Sequence, residues 1–388
     1  MIELTLKECC KFQEGYVNPS QTKREYFGGP IKWLRASDLN DSFVHSTEKT
    51  LSIKGFESAG KSAYLFQENS IAISKSGTIG RLGILKDKMC GNRAVINIHV
   101  NSNIADLKYI FYILKYKKKE LLLKAEGSIQ KNLYVSALET ITLNHRSIID
   151  QIKIASVLSA LDAKIELNNR INAELEAMAK TIYDYWFVQF DFPDKNGKPY
   201  KTSGGKMVWN EELKREIPEG WEVNRFGEVV IIKNGKDHKH LKSGSFPVYG
   251  SGGVMRYVNE YLYDSESILI PRKGSLGNLF YLNQPFWSVD TIFYTQMKFA
   301  HSCKYLFYTT QNFNISKMNT GTAVPSMTAG ILNNLSLVFP SEDILKRFDD
   351  ILNPIFKNKD VLIKESEELT SLRDWLLPML MNGQVRVS

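Results

Sequence analysis

Ile71-Ala72-Ile73-Ser74-Lys75-Ser76-Gly77-Thr78-Ile79-Gly80 is written a second time as Ile268-Leu269-Ile270-Pro271-Arg272-Lys273-Gly274-Ser275-Leu276-Gly277, with Gly274 standing 197 positions after Gly77. Each copy is a short apolar run that reads as a strand, followed by a basic-x-Gly-[Thr/Ser]-x-Gly turn. Further along, Ile154, Val157, Leu161, Leu175, Met178 and Ile182 find counterparts in Phe348, Ile351, Ile355, Leu369, Leu372 and Leu376, each 194 positions later. Two features repeated in one order mean a duplicated chain. The period far exceeds the roughly 20–50 residues of stacking repeats, so each copy is a domain with an attached element. Two related domains in one chain suit a partner that itself carries two related sites.

Composition narrows that partner. With 388 residues and 43% hydrophobic content the chain is ordinary globular material, long enough for two or three cores. Lys+Arg 50 against Asp+Glu 42 gives a net charge of +8, which leans toward a polyanion. Cys9, Cys10, Cys90 and Cys303 have no C-x-x-C spacing, so reduced thiols are expected and a zinc site is not. The first eight residues alternate charge and apolarity, and no stretch approaches the ~18 apolar residues a membrane span needs. The expectation is a cytoplasmic protein with no membrane partner.

The first 143 residues read as short β-like runs (2–6, 31–34, 71–74, 94–100) broken by Gly, Pro, Asn and Ser, and only 105–125 reads helical. Between Ser147 and Trp186 there is no Gly or Pro, and Ile154, Val157, Leu161, Lys164, Asn168, Ile171, Leu175, Met178 and Ile182 step alternately by 3 and 4, a heptad seam. A polar stretch with Pro193, Gly197, Pro199, Gly204 and Gly205 follows and reads as a connector. The β-rich texture then returns through 221–339, before a second seam of Phe348, Ile351, Ile355, Asn358, Leu362, Glu365, Leu369, Leu372 and Leu376; Pro378 and Gly383 follow. The expected organisation is a first domain over 1–146, a helical spacer over 147–190, a linker over 191–216, a second domain over 217–340 and a second spacer over 341–388. The expected fold class is α+β: two α/β domains separated by two long helices in an antiparallel coiled coil, related by an internal pseudo-two-fold. The helices must be antiparallel because the second can bury its stripe against the first only by running back. Ile154 to Ile182 spans ~42 Å at 1.5 Å per residue, about one turn of duplex DNA at ~34–36 Å. A helical spacer in an ordinary two-domain protein would have the same pattern.

The chemistry-bearing motifs are few. Gly55-Phe56-Glu57-Ser58-Ala59-Gly60-Lys61-Ser62 matches the G-x-x-x-x-G-K-[ST] phosphate loop letter by letter, but only Leu51-Ser52-Ile53 precedes it where a buried strand is needed. The repeated glycine turn is the better anion site, since glycines let backbone N–H groups approach closely and Lys75, Arg272 and Lys273 add charge; the alternative is a turn kept for its shape. The run Lys115-Tyr116-Lys117-Lys118-Lys119 suits phosphate contact or a solvated helix face equally. Gly127 and Gly321 also correspond, and after them Gln130, Lys131 and Asn132 stand where Val324, Pro325 and Ser326 stand in the other copy. Divergence at equivalent loop positions is what two different base sequences would demand, and drift gives the same picture. Asn168 and Asn358 either specify the register of the seams or lie where they open to solvent. His238-Lys239-His240 lacks a neighbouring carboxylate or thiol for a metal. No methyltransferase glycine fingerprint and no Ser/His/Asp arrangement stands out, so a non-catalytic chain with no cofactor of its own is expected.

Gln151-Ile152-Lys153-Ile154-Ala155-Ser156-Val157-Leu158-Ser159-Ala160-Leu161-Asp162, Lys164-Ile165-Glu166-Leu167-Asn168-Asn169-Arg170-Ile171-Asn172 and Trp186-Phe187-Val188-Gln189-Phe190-Asp191-Phe192 resemble the specificity subunit of type I restriction–modification enzymes. The likeness continues through Asn196-Gly197-Lys198-Pro199-Tyr200, Ile217-Pro218-Glu219-Gly220-Trp221 and Ser288-Val289-Asp290-Thr291. It implies two target-recognition domains, each reading one half of a split site in double-stranded DNA, with conserved helical regions setting the gap. It also implies two docked methylation subunits and motor-nuclease subunits, to which S-adenosylmethionine, ATP and magnesium would belong. The residues then expected at DNA are Lys75, Ser76, Gly77, Thr78, Gln130, Lys131, Asn132, Ser251, Arg272, Lys273, Gly274 and Ser275. The first domain departs from the pattern by lacking the Pro-x-Gly-Trp opening of the second, which leaves its first strand open. The competing classes are a P-loop nucleotide hydrolase with a coiled-coil arm and a protein-only coiled-coil adaptor.

Overall fold

A computed structural model describes residues 3–127, 131–144, 146–313, 315–318 and 326–387. The chain divides into two compact units, Met1–Asn169 with Ile363–Ser388, and Arg170–Leu362. Each unit therefore takes one β-rich segment and part of each long helix. This partition cuts across a division made segment by segment.

In the first unit a five-stranded sheet runs in the order Cys10–Glu14, Val95–Val100, Ile71–Ser74, Leu82–Leu85, Ser42–Val44. In the second, a four-stranded sheet runs Val230–Asn234, Ile292–Met297, Ser267–Pro271, Phe280–Leu282. The repeated apolar run is thus an inner strand in both, buried on both faces, which is why it reads as continuous hydrophobic sequence rather than as an alternation. Each unit also holds a three-stranded sheet, centred on Phe27–Leu34 in one and Ser243–Gly250 in the other. Among the described strand pairs only Ser42–Val44 with Leu82–Leu85, Phe27–Leu34 with Cys90–Gly91, and Ser243–Gly250 with Trp287–Ser288 are parallel. Each unit is therefore α+β in its own right, without the strand–helix alternation of an α/β domain.

The opening strand of the first unit forms despite its missing motif. Glu3–Thr5 pairs with Thr142–Asn144 as Glu222–Arg225 pairs with Ser336–Phe339. In both copies a glutamate three residues on accepts the backbone N–H that starts a four-residue helix, Thr5 N to Glu8 and Arg225 N to Glu228. The expected helix over 105–125 is two helices, Leu107–Tyr116 and Lys118–Leu123, broken at Lys117.

The long helices span Ile148–Tyr183 and Glu342–Asn382, the second running on through Pro378. Within the first unit, Asp162 meets Arg373 at 2.7 Å and Asn168 meets Glu365 at 2.7 Å, so the paired stretches are antiparallel. Within the second unit Glu176 pairs with Lys359, and Phe187 meets Phe348 at a ring-centroid distance of 4.8 Å, again antiparallel. The heptad seam describes the burial only in part. Ile154, Asn168, Phe348 and Ile355 are buried, whereas Lys164, Met178, Ile351, Asn358 and Leu372 are exposed. Ala155, Leu158, Ala179, Tyr183, Leu345, Leu352 and Phe356, off the seam, are buried instead. The cause is that each helix packs against β-rich material as well as its partner helix, which turns its apolar face away from a strict two-helix seam.

Residues 191–216, expected as a linker, are folded into the second unit. Phe192 stacks between Tyr200 and Trp221 at 4.6 and 4.8 Å. The buried Asp191 carboxylate accepts from the Thr202 N–H at 2.8 Å and hydroxyl at 2.6 Å. Met207–Asn210 and Arg215–Pro218 close a hairpin. Phe192 and Tyr200 of this polar run, with Trp221 beyond it, supply its core, while Trp209 is exposed.

Candidate nucleic-acid interface

The glycine turn begins where its inner strand leaves the sheet. Gly77 and Gly274 have φ of 72° and 80°, the left-handed region that a β-carbon disfavours, so glycine is required at both. The turns are closed differently. In the first copy the Ser74 hydroxyl donates to the Thr78 carbonyl at 2.5 Å and accepts from the Arg81 N–H at 2.9 Å. In the second, proline occupies that position, and the Asn278 side-chain amide donates instead to the Ser251 carbonyl at 2.9 Å. Ser251 thus belongs to the turn's support, with Oγ 3.3 Å from where a β-carbon on Gly274 would lie.

Beside each turn lies the divergent loop, attached by the same bond in both copies. Leu133 N–H donates to the Lys75 carbonyl at 2.8 Å, and Met327 N–H donates to the Arg272 carbonyl at 2.9 Å. On the other side, Lys75 N–H donates to Ala94 at 2.8 Å and Arg272 N–H donates to Thr291 at 2.9 Å. Lys131 and Asn132 are therefore brought to the first turn, as Ser326, bridged to Lys273, is brought to the second. Gln130 and the residues 321–325 lie outside the described residues.

The cations differ in their surroundings. Lys75 Nζ lies 3.1 Å from the Glu14 carboxylate, both groups mostly buried. Arg272 donates to the neutral Asn234 Oδ1 at 3.2 Å and lies over the Phe293 ring at 5.2 Å, with its Nε buried and unpartnered. Lys273, Gly274, Ser275, Gly77, Thr78 and Lys131 are exposed; Ser76 and Asn132 are half-buried. In the second unit a cleft of about 850 Å³ is lined by Asp237, His238, Lys239, residues 250–255 and Val289, Asp290 and Thr291.

Other sequence candidates fall elsewhere. Lys115, Lys117 and Lys118 are engaged within the protein, by the Asp41 carbonyl, Glu120 and the Asp41 carboxylate, and burial holds the Lys115 ammonium below its ordinary value; Lys119 of that run is exposed. The Gly55–Ser62 stretch forms the five-residue helix Ile53–Glu57 and a 3-10 turn over Gly60–Ser62, and a β-carbon on Gly55 would lie 2.1 Å from the Tyr26 carbonyl oxygen. This is not the open nest a phosphate loop requires. Among the described residues no cluster of three His, Cys, Asp or Glu is placed to hold a metal, and no helix is long and apolar enough to cross a membrane.

Sequence reading missed Glu14, Asn234 and Arg93. For Glu14 and Asn234 the signal was present but displaced: the strand Cys10–Glu14 corresponds to Val230–Asn234 at an offset of 220, not 197, because the loops between strand and turn differ in length, whereas Arg93 stands 197 positions before Asp290, in step with the turn.

Residues 2–177 and 218–371 match the model of the type I restriction modification DNA specificity domain. The match covers most of the chain, and the protein belongs to that family. It is similar to the type I restriction enzyme MjaIX specificity subunit of Methanocaldococcus jannaschii, 26% identical over 96% of this chain and 91% of the relative. It is also similar to the EcoprrI specificity subunit of Escherichia coli, 26% identical over 91% and 88% of the two chains. The fold resembles the crystal structure of the type I system S subunit from M. genitalium, with a TM-score of 0.60 at 19% identity, covering 98% of this chain and 96% of that one.

Proposed function

We propose that this chain is the sequence-reading, non-catalytic subunit of a type I restriction–modification complex, working on the cell's own double-stranded DNA in the cytoplasm. Each β-rich segment reads one half of a bipartite site through the glycine turn and the loop bonded to it. The observation that carries this reading is the pair of equivalent bonds, Leu133 to Lys75 and Met327 to Arg272, which tie an anion-suited turn to a loop whose side chains differ between copies. An anion-suited turn beside a variable loop suits a protein in which phosphates position and base edges specify. The long helices set the gap between half-sites and dock two methylation subunits; motor-nuclease subunits join through the assembled complex. S-adenosylmethionine, ATP and magnesium belong to those partners.

The test is a methylation map of host DNA with the gene intact and deleted. Deletion should remove methylation from one split motif and leave every other motif as it was. An unaltered map in cells that make the protein would overturn the reading.

A further inference from the structure

The two copies place charge differently around one shared framework. Glu14 corresponds to Asn234 by matching strand register, Lys75 to Arg272 as the residue after the matching strands, and Arg93 to Asp290 as the residue before Ala94 and Thr291, which accept the equivalent N–H bonds. In the first copy Lys75 and Glu14 are ion-paired at 3.1 Å with exposures of 17% and 24%. A cation so paired has its field cancelled close by and offers a phosphate little. Arg93, one residue before the Ala94 that accepts from the Lys75 N–H, is exposed and makes no ion pair among the described residues. In the second copy the carboxylate opposite the turn has become the neutral Asn234 amide, so Arg272 keeps its full charge with Lys273 exposed beside it. At the Arg93 position stands the exposed acid Asp290.

We infer that the phosphate-anchoring cation has changed place between the two readers: Arg93 anchors the first half-site and Arg272, with Lys273, the second, while Lys75 is a positioning residue locked to Glu14. This rests on the DNA-reading function proposed above and amends the expectation that Lys75 touches phosphate. It explains why a turn duplicated in sequence carries different flanking charges. The anion-binding function persists in both copies while the side chain that serves it moves from the turn to the neighbouring loop.

The experiment measures binding of the full chain to a 30-base-pair mixed-sequence duplex at several salt concentrations. Each lost phosphate contact flattens the dependence of log K on log salt by about 0.9. Arg93→Ala and Arg272→Ala should each flatten it by about that much, and Glu14→Gln, which frees Lys75, should steepen it by a similar amount. Adding Lys75→Met to Glu14→Gln should cancel the steepening, a gain and loss that a misfolded variant cannot produce. Flattening by Lys75→Met alone equal to that of Arg93→Ala, or an unchanged slope for Arg93→Ala, would overturn the assignment. Absence of any salt-dependent duplex binding by the unaltered chain would instead overturn the DNA-reading function itself.

Discussion

Lys304 is 1% exposed and lies 2.8 Å from Glu266 and 2.7 Å from Asp349, while Asp349 also takes His301 at 3.0 Å and the Asn353 amide at 3.2 Å. These bonds join the helix Cys303–Asn312 and the strand Ser267–Pro271 region to the second long helix. Burial alone would raise the Asp349 carboxyl, but the hydrogen bonds from Lys304 and His301 hold it below its ordinary value of 3.8. Its contribution to stability is therefore complete above pH 3.8 and is lost as pH falls through the lower folded value. Urea unfolding between pH 6 and 3 should show that loss, and Asp349→Asn should reduce it; an identical pH profile for the variant would count against the network. Lys304→Met removes the buried cation shared by Glu266 and Asp349, leaving Asp349 only its His301 and Asn353 partners, and should destabilise the second unit by about 3–5 kcal/mol. At the proposed interface, Asn132→Ala should cost ~1–3 kcal/mol at one base position of the half-site and spare the rest. A uniform loss over a panel of single-base variants would make Asn132 a backbone contact.

At the level of elements, one arrangement recurs where the long helices meet the β-rich segments. Tyr112 donates to Asp162 at 2.6 Å, and Asp162 pairs with Arg373; Tyr308 donates to Glu176 at 3.1 Å, and Glu176 pairs with Lys359. In each case the carboxylate comes from the first long helix and the cation from the second, so a tyrosine of the β-rich segment locks both. Cysteines placed at Ile154 and Leu376, which border one apolar cluster, should cross-link within the chain; cross-linking of 154 to 348 instead would overturn the antiparallel pairing. The strand Ile71–Ser74, the long helices and the duplication are legible in the sequence because each follows from local periodicity or from self-comparison. The true buried face of the helices is not, since Met178 and Leu372 fit the heptad as well as Ala179 and Leu377 fit the observed packing. Choosing between them requires knowing what lies across from the helix. The proposed interface was legible as a turn but not as a charge distribution, because the residue that neutralises Lys75 lies 61 positions earlier in sequence, at Glu14.

For the whole molecule, the proposed spacer makes a quantitative expectation. Inserting one heptad near Asn168 and one near Leu362 together lengthens the helical span by ~10 Å. The gap between half-sites should widen by about 3 base pairs at ~3.4 Å each, with both half-sites unchanged in a methylation map. Altered half-sites would mean that the helices read bases. The division of the chain has a further consequence, in the order of its making. The second unit, 170–362, is one uninterrupted stretch, but the first needs residues 363–388 to cover Ile154, Ala155 and Leu158 with Leu377, Leu380 and Met381. Arg146 must also wait for the Leu380 and Met381 carbonyls it binds at 3.0 Å. On a ribosome adding roughly 5–20 residues per second, the half translated first is the half completed last. Its apolar face stays open for the 193 residues of the second unit's synthesis, so a chain cut short soon after Leu362 carries a complete second unit and an incomplete first unit that is prone to aggregate.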